Sequence, residues 1–209
     1  MTAEESTPGG SRLTRKGQAT RERIVEAAAR LMFERGVAGT STEDVQAAAR
    51  VSASQLYHYF ADKRSLVRAV IVLLTEAVLD AQQPHLSRLD SLEALGAWRD
   101  ALVDLQRERG CMGGCPIGSL ASELSDLDED ARTDLRAGFA RWEGAIRDGL
   151  QAMHDRGELS SGANPDQLAL ATLAALQGGL LLTQLRRDTA PLEAALDAMI
   201  DRIASLRRS

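Results

Sequence analysis

Apolar residues recur along most of the chain at the three-and-four spacing that gives an α-helix one buried face. The first such run covers about residues 20–35 and ends at Gly36, a residue suited to a left-handed C-terminal cap. Its predicted inner face consists of Ile24, Ala27, Ala28, Leu31 and Met32. Sustained alternation of β-branched residues, which is typical of strands, is lacking. The pattern therefore predicts an all-α protein.

Two short helical segments and a long one follow. The second helix begins at Ser41 or Thr42, because either hydroxyl can accept hydrogen bonds from the free amides at a helix start. Ser52 caps a very short third helix, and Asp62 caps a fourth helix that runs to about Ala81. The inner faces of the second and fourth helices are predicted to be Val45, Ala48, Leu66, Val70, Leu73, Leu74 and Ala77.

The rest of the chain reads as a series of amphipathic helices. Asn164 followed by Pro165, and Ala190 followed by Pro191, place proline at the first helical position. The predicted helices span about residues 91–109, 116–125, 129–156, 165–187 and 191–206.

These elements suggest three parts. Residues 1–19, rich in Ser, Thr, Gly and Arg, are predicted to be a disordered basic arm that either reaches DNA or is an idle tail. Residues 20–65 contain two short helices joined by a tight turn, and a short helix held by its partner fits the DNA major groove. Residues 66–209 form a separate helical body.

The charge distribution agrees with this division. The chain as a whole has a net charge of −5, but residues 11–65 carry ten Lys/Arg against six Asp/Glu, a balance of +4. Residues 66–209 carry fifteen basic and twenty-two acidic side chains, a balance of −7. A cationic front end on an acidic body is typical of a DNA-reading domain attached to a domain that does not touch DNA.

A specific motif lies at the second of the two short helices. The run Val51-Ser-Ala-Ser-Gln-Leu-Tyr-His-Tyr-Phe60, followed by Asp62, Lys63 and Leu66, resembles the recognition helix of the tetracycline-repressor (TetR) family of bacterial regulators. Residues 40–49 are similar to the family's second helix. The resemblance implies an N-terminal three-helix, helix-turn-helix domain and a C-terminal helical bundle that binds a ligand and dimerises. It also implies a homodimeric repressor of a palindromic operator in double-stranded DNA.

The resemblance assigns roles at the DNA surface. Thr42 is expected to bind phosphate, and Gln55 to pair with adenine. His58 remains open between a structural role and a phosphate bond. The full set of expected DNA-binding residues is Thr42, Arg50, Ser52, Ala53, Ser54, Gln55, Tyr57, His58, Tyr59 and Lys63. Leu56 and Phe60 are assigned to the core.

Two positions depart from the family pattern. Arg50 occupies a turn position where the family often has glycine, and a left-handed non-glycine residue costs roughly 1 kcal/mol there. Ala53 stands where many relatives carry a basic residue. Both departures affect which DNA sequence is recognised.

A second, shorter resemblance lies in the body. Residues 114–124, with the sequence GCPIGSLASEL, resemble a signature of the LmrA/YxaF-like branch, which is related to regulators of multidrug-efflux genes.

Residues 165–187 are apolar on more faces than a surface helix of a monomer needs, so we predict that this helix and the last one form half of a four-helix dimer interface. The alternative is an intramolecular core helix. The expected interface residues are Leu173, Leu176, Leu180, Gln184, Leu196, Ile200 and Ile203.

A ligand cavity in the body is the second expectation, for a small and mostly apolar effector. Its candidate lining residues, each of which can instead be ordinary core, are Trp98, Leu102, Met112, Ile117, Phe139, Trp142, Ile146 and Gln177. Gly178 and Gly179 give room either for a ligand or for close helix packing.

Other classes of function find less support. Cys111 and Cys115 are expected to be reduced thiols, and a thiol switch stays open as an alternative to a small-molecule effector. Metal binding and cofactors are not expected, and the sequence lacks the GxSxG, phosphate-loop and HExxH motifs of common enzymes. The lack of a long apolar run predicts no membrane span and a cytoplasmic protein. A DNA-binding regulator without any effector is the remaining alternative.

Overall fold

A computed structural model of the chain describes residues 13–208, and within this range it is all-α, as predicted. An isolated bridge between Leu159 and Arg207 is the only extended pairing in that range. The helices are α1 (Arg15–Arg35), α2 (Thr42–Ala49), α3 (Ala53–Tyr59), α4 (Lys63–Asp80), α5 (Leu92–Glu108), α6 (Pro116–Leu124), α7 (Glu129–Asp155), α8 (Pro165–Arg186) and α9 (Ala190–Ala204). A 3₁₀ turn at His85–Arg88, which was not predicted, lies between α4 and α5.

Helix α1 begins earlier than the sequence pattern suggested. Thr14 caps it, with its hydroxyl oxygen accepting a hydrogen bond from the amide of Gly17 at 3.2 Å. Residues 15–19, which we expected in a disordered arm, are therefore helical. The remainder of that predicted arm, residues 1–12, lies outside the described range.

Reciprocal caps define the three helices that follow α1. At the start of α2, Ser41 and Asp44 each accept a hydrogen bond from the other's backbone amide, so the capping hydroxyl belongs to Ser41 and not to Thr42. Ser52 with Gln55, and Asp62 with Ser65, form the same arrangement at α3 and α4. The boundaries of all three helices are therefore set by local side-chain chemistry.

Helices α1 to α3 and the first half of α4 surround one apolar core. Leu56 and Phe60 are buried, as predicted, and they anchor the very short α3. The predicted inner face of α1 is also buried. In α2 the prediction was off by one residue, since Ala49 is buried and Ala48 is exposed.

Helix α4 joins this core to the body, because it packs on α1 at one end and on α6 and α7 further along. Leu66 and Val70 are buried as predicted, whereas Ala77 is exposed. Val67 and Ile71 are buried as well, so two faces of this helix are covered. A helix that packs against the N-terminal helices and against the body needs a buried face for each.

The body is built on α8, which packs between α7 and α9. By length and composition alone, helix α8 is long and apolar enough to cross a membrane. Core helices of soluble proteins can have the same length and composition. About 44% of its most apolar window is buried inside the protein. Packing against α7 and α9 accounts for the apolar residues on one side of α8.

Candidate nucleic-acid interface

The short helix α3 presents nearly all of its polar residues to solvent. Leu56 is its one fully buried side chain, while Ser52, Ala53, Ser54 and Gln55 are exposed. Tyr57 and His58 are exposed on the following turn. The expected groove-facing residues therefore form one open surface on a helix that is anchored from behind.

Gln55 has a second role in the cap of α3. Its Oε1 atom accepts a hydrogen bond from the amide of Ser52 at 3.0 Å, and its own amide donates to Oγ of Ser52 at 3.2 Å. The carboxamide Nε2 donors remain available at the surface. While this cap is kept, Gln55 can donate from Nε2 to a base edge, but its Oε1 atom already accepts from the Ser52 amide. The sequence did not reveal this competition for Oε1.

Arg50 adopts the left-handed conformation that was anticipated for the turn, with φ 54° and ψ 52°. Its amide closes α2 by donating to the carbonyls of Ala47 and Gln46. The exposed guanidinium makes no hydrogen bond or ion pair within the described residues. An unengaged cation therefore lies in the turn that leads into α3.

Tyr59 connects α3 with the start of α1. It is partly buried against the core, and a Cβ atom added to Gly17 would lie 3.4 Å from its hydroxyl. His58 lies edge-on to its ring at a centroid distance of 4.9 Å. The first turn of α1, which carries Arg15 and Lys16, is thus brought beside the end of α3.

Lys63 lies differently from the expectation of a charge directed at the DNA backbone. It is half-buried, and its Nζ donates to the carbonyl oxygen of Val37 at 2.6 Å, so it ties α4 to the α1–α2 loop. This bond gives Lys63 a structural role, and its contact with the DNA backbone stays a prediction. Thr42 is half-buried and its hydroxyl donates to Glu43 at 3.2 Å. Its contact with phosphate stays a prediction.

Comparison with known proteins matches this geometry. The family model for bacterial regulatory proteins of the tetR family matches residues 24–70, which contain α2 and α3. The model for the tetracyclin repressor-like C-terminal domain matches residues 91–199, which is more than half of the chain. The chain belongs to the TetR family. It is therefore a helix-turn-helix transcriptional regulator that binds DNA, and it is not an enzyme.

Individual TetR relatives cover almost the whole chain. An uncharacterized HTH-type transcriptional regulator from Lactococcus lactis is 32% identical over 86% of this chain and 91% of its own length. YxaF from Bacillus subtilis, which represents the branch suggested by residues 114–124, is 25% identical over 86% of this chain and 92% of its own. The crystal structure of a TetR regulator from Chloroflexus aurantiacus has a TM-score of 0.76 and 30% identity, covering 93% of this chain and 99% of that one.

The TetR body contains a cavity of about 230 Å³ among α4, α5, α6, α7 and α8. Of the predicted ligand residues, Leu102 and Trp142 line it. A second hollow of about 360 Å³ between α6 and α8 includes Phe139 and Gln177. The expected residues are thus divided between two neighbouring spaces.

Four predicted ligand residues line neither space. Ile117 and Ile146 are completely buried core residues, and Met112 is exposed on the surface. Trp98 is buried and donates from Nε1 to Oε1 of Gln82 at 3.0 Å. That bond holds the side chain of Gln82, which lines the smaller cavity. Trp98 therefore contacts a lining residue without lining the cavity itself.

Sequence reasoning missed Gln106, whose side chain lines the same cavity while being 97% buried (3% exposed). On the same wall, Nε1 of Trp142 is a buried donor without a hydrogen-bond partner among residues 13–208. Gln106 follows Leu102 by four positions, so the three-and-four spacing could have placed it on the buried face of α5. The sequence could not show that this part of the face borders a cavity, because that depends on where the other lining helices lie.

Most of the predicted dimer residues lie in the core of the single chain. The buried ones are Leu173, Leu176, Leu180, Leu196 and Ile203, whereas Gln184 and Ile200 are half-buried. The five buried residues are therefore corrected to core residues. The exposed apolar side chains of α8 are instead Leu170, Leu181, Leu182 and Leu185.

Both cysteines are free and buried. The Sγ of Cys115 caps α6 by accepting from the amide of Gly118 at 3.4 Å. Burial raises the pKa of this thiol, although the Gly118 amide and Gln177 act in the opposite direction. A raised pKa leaves little of the reactive thiolate at neutral pH. Within residues 13–208, no His, Cys, Asp and Glu side chains form a group of three able to hold a metal ion.

Proposed function

We propose that the chain is a cytoplasmic, homodimeric TetR repressor that binds a palindromic operator and is released from it by a small, mostly apolar ligand. The observation that carries the proposal is the cavity of about 230 Å³ in the body, whose wall includes the buried side chains of Gln106 and Trp142, behind a helix α3 that faces solvent. The proposal has three parts: the dimer, the operator and the ligand.

The exposed face of α8 supports the dimer. Leu170, Leu181 and Leu185 lie on one stripe of the helix, and Leu181 is 65% and Leu185 76% exposed. An exposed stripe of large aliphatic side chains is a typical protein contact surface. Its length along α8 favours antiparallel or crossed packing against the same helix of a second copy.

Gly178 supports the same conclusion from backbone chemistry. It lies exposed in the middle of α8, and a Cβ atom added to it would have no neighbour within 4 Å. Glycine inside a helix costs about 1 kcal/mol relative to alanine, and no neighbouring atom among residues 13–208 requires it here. Close approach of a second helix would require it. Gly179, in contrast, packs on Leu192 of α9, where a Cβ atom would lie 3.0 Å from Cα.

A two-fold dimer gives the operator its symmetry. Two α3 helices related by a two-fold axis read two half-sites of opposite orientation, about 34–36 Å apart on B-form DNA. Arg15 and Lys16 in the first turn of α1 are unfavourably placed for the helix dipole, which attracts anions there. Backbone phosphates would supply those anions.

The ligand is defined by the cavity. Most of the lining is aliphatic or aromatic, with Leu74, Val78, Leu102 and Trp142 among the walls, and no acidic side chain contributes to it. A cavity of about 150 Å³ holds benzene, so this one suits a molecule of about ten non-hydrogen atoms. A cationic ligand is disfavoured because no acidic side chain lines the cavity, whereas Arg109 lies on its wall.

Buried polar groups on the wall specify the polar part of that ligand. The carboxamide of Gln82 is already engaged, since it accepts from Trp98 and donates from Nε2 to the carbonyl of Val78 at 2.8 Å. Two polar groups on the wall are left to bond a ligand: the Gln106 carboxamide and Nε1 of Trp142, which has no hydrogen-bond partner among residues 13–208. A carbonyl oxygen on an otherwise apolar molecule can accept from either.

The test uses a matched pair of probes. Acetophenone and α-methylstyrene have the same size and planar shape, but only acetophenone has a carbonyl oxygen. Thermal shift and titration give the affinity of each for the protein and for Gln106→Leu. We expect the preference for acetophenone to fall by about 2- to 12-fold in the variant, the value of one neutral hydrogen bond. An equal preference in both proteins would contradict the assignment of Gln106.

Release is measured on DNA. The protein first selects its own duplex from a random library, and its affinity for that duplex is then measured with and without acetophenone. Weaker binding with the probe supports a ligand-released repressor. Stabilisation of the protein without any change in DNA affinity, or no stabilisation by any compound of this class, supports a regulator that acts without such an effector.

A further inference from the structure

Helix α6 extends from the cavity to the DNA-binding domain. Cys115 and Pro116 at its start line the cavity of about 230 Å³, and Gly118 lines the neighbouring hollow. Glu123 at its other end reaches the loop between α1 and α2. The nine residues of α6 therefore contact both sites at once. These residues make up most of the signature GCPIGSLASEL, to which the function described so far assigns no role.

The contact of Glu123 with the loop is a two-pronged clamp. Its Oε2 accepts a hydrogen bond from the amide of Val37 at 2.9 Å, and its Oε1 accepts from the amide of Ala38 at 2.8 Å. Both bonds join segments at least 85 residues apart in sequence. Hydrogen bonds to a carboxylate are about twice as strong as neutral ones, and two of them in parallel fix direction as well as distance.

The clamped loop is rigid and leads directly to the DNA surface. Thr40 is buried and its hydroxyl donates to the carbonyl of Gly36 at 2.8 Å. Lys63 holds the carbonyl of Val37 from the other side. The next residue after this loop, Ser41, caps α2. A displacement of residues 37–38 is therefore carried to the N-terminus of α2.

Gly36 makes room for the clamp. Its φ of 76° is left-handed, and a Cβ atom at this position would lie 3.2 Å from Oε2 of Glu123. Any other residue would be strained and would crowd the carboxylate. The glycine that ends α1 thus also permits the contact with α6.

The other end of α6 is attached through a flexible type of turn. Gly110, Cys111, Gly113 and Gly114 all have positive φ. Gly113 lies against Phe33 of α1, because a Cβ atom there would approach the ring Cζ to 2.5 Å. A short helix between such a turn and a clamp can shift as one body when the cavity fills.

We propose that Glu123 is the positioning residue through which a displacement of α6 at the cavity reaches the α1–α2 loop and the start of α2. This inference rests on the proposed function, since it gives the route by which a ligand in the body alters DNA binding. Unlike the proposed function, this inference does not depend on a particular ligand. Both experiments that test it are carried out without a ligand.

The first test is hydrogen exchange on Glu123→Gln, which leaves one acceptor oxygen where there were two. The matched control is Glu129→Gln, an exposed carboxylate whose ion pair among residues 13–208 is with Arg132, one turn away. We expect the amides of Val37 and Ala38 to exchange about tenfold faster or more in Glu123→Gln, with α1 and α4 core amides unchanged. Unchanged exchange at residues 37–38, or faster exchange everywhere, would overturn the clamp.

The second test is a double-mutant cycle on DNA affinity. Gly118→Leu pushes a side chain into the hollow between α6 and α8, where even a Cβ atom would lie 2.9 Å from Oε1 of Gln177. We expect this wedge to weaken binding to the selected duplex by about fivefold or more, and by less than about twofold when Glu123→Gln is also present. An equal effect in both backgrounds, or no effect of the wedge, would overturn the proposal.

Stability is controlled in the same cycle. If Gly118→Leu does not fold, Gly118→Ala provides a smaller displacement with the same two expected outcomes. Failure of acetophenone to bind would contradict the effector, while loss of non-additivity in this cycle would contradict Glu123. The two failures are therefore distinguishable.

Discussion

Gln55 of α3 combines a structural bond with a place on the exposed surface that we propose contacts DNA. Gln55 accepts from the Ser52 amide, so its carboxamide presents two N–H donors outward while its oxygen is engaged. Bidentate pairing with adenine, which the sequence suggested, needs that oxygen as well. Keeping the cap instead favours a base that offers acceptors, such as guanine through N7 and O6.

Gln55→Glu separates the two roles of this residue. A glutamate oxygen can still accept from the Ser52 amide, so the free energy of unfolding should change by no more than about 0.5 kcal/mol. The outward donors are lost, so the preferred operator sequence should change at the contacted base pair. Chemical denaturation and selection from a random duplex library measure these effects. Ser52→Ala is the reference for a lost cap, at about 1 kcal/mol. An unchanged preferred sequence would remove Gln55 from the reading surface.

Arg50 should show opposite effects on stability and on DNA binding. Arg50→Gly relieves the left-handed strain at φ 54° and should raise the free energy of unfolding by up to about 1 kcal/mol. Removing the exposed cation should weaken binding to all sequences and lower the slope of log affinity against log salt by up to about 0.9. Arg50→Gln, which keeps the strain, should reproduce only the DNA effect. A salt slope unchanged in both variants would place Arg50 away from phosphate.

Residue-scale features were predictable where the signal is local. The caps at Ser52 and Asp62 and the anchors Leu56 and Phe60 follow from a few neighbouring positions. The inward turn of Lys63 was not predictable, because its partner Val37 is 26 residues away and is a backbone carbonyl without any sequence signature.

Helix α8 illustrates what periodicity can decide for a whole element. Its apolar residues surround the helix, and the residues that the sequence assigned to a dimer interface lie mainly on the face that packs inside the chain. Which face is internal depends on where α7 and α9 lie, and a nearly uniform apolar helix does not encode that. The exposed stripe with Leu181 and Leu185 became identifiable only from the packing.

Leu181→Glu tests the dimer at this stripe. A charge at the centre of an apolar contact would be buried without a partner, so the variant should be monomeric by light scattering while its helix content is retained. The control is Leu127→Glu, since Leu127 is 80% exposed and lies in the turn between α6 and α7. A dimer that persists in Leu181→Glu would move the interface elsewhere.

At the scale of the molecule, ion pairs join the DNA-reading part to the body. Arg64 and Arg68 on α4 pair with Asp128 and Asp134 at or near the start of α7. The Arg64 guanidinium, at 2.8 Å from Asp128, lowers the pKa of that carboxyl, and the Ala131 amide adds to the effect. Such exposed pairs contribute modest energy individually, and their value here is in fixing α4 relative to α7.

Asp128 makes a directional prediction for acid. Its pKa is lower in the folded than in the unfolded chain, so its contribution is complete above the ordinary aspartate pKa near about 4 and is lost as the pH falls below it. Asp128→Asn keeps a capping side chain without the charge. The variant should be less stable than the original at neutral pH, and the difference should shrink as the pH falls below about 4.

Urea denaturation across this pH range measures the difference. Asp201→Asn, at an exposed carboxyl of α9 that makes no ion pair among residues 13–208, serves as the control and should show a constant difference. A gap between Asp128→Asn and the original protein that stays constant into acid would contradict the assignment.

Because α3 commits a single fully buried side chain to the interior, folding and sequence preference are encoded by largely separate positions. Ala53, Ser54, Tyr57 and His58 face outward without forming the cap. A library randomised at these four sites should consist mainly of folded proteins. Evolution, or an engineer, can therefore redirect such a regulator to new promoters without rebuilding its scaffold.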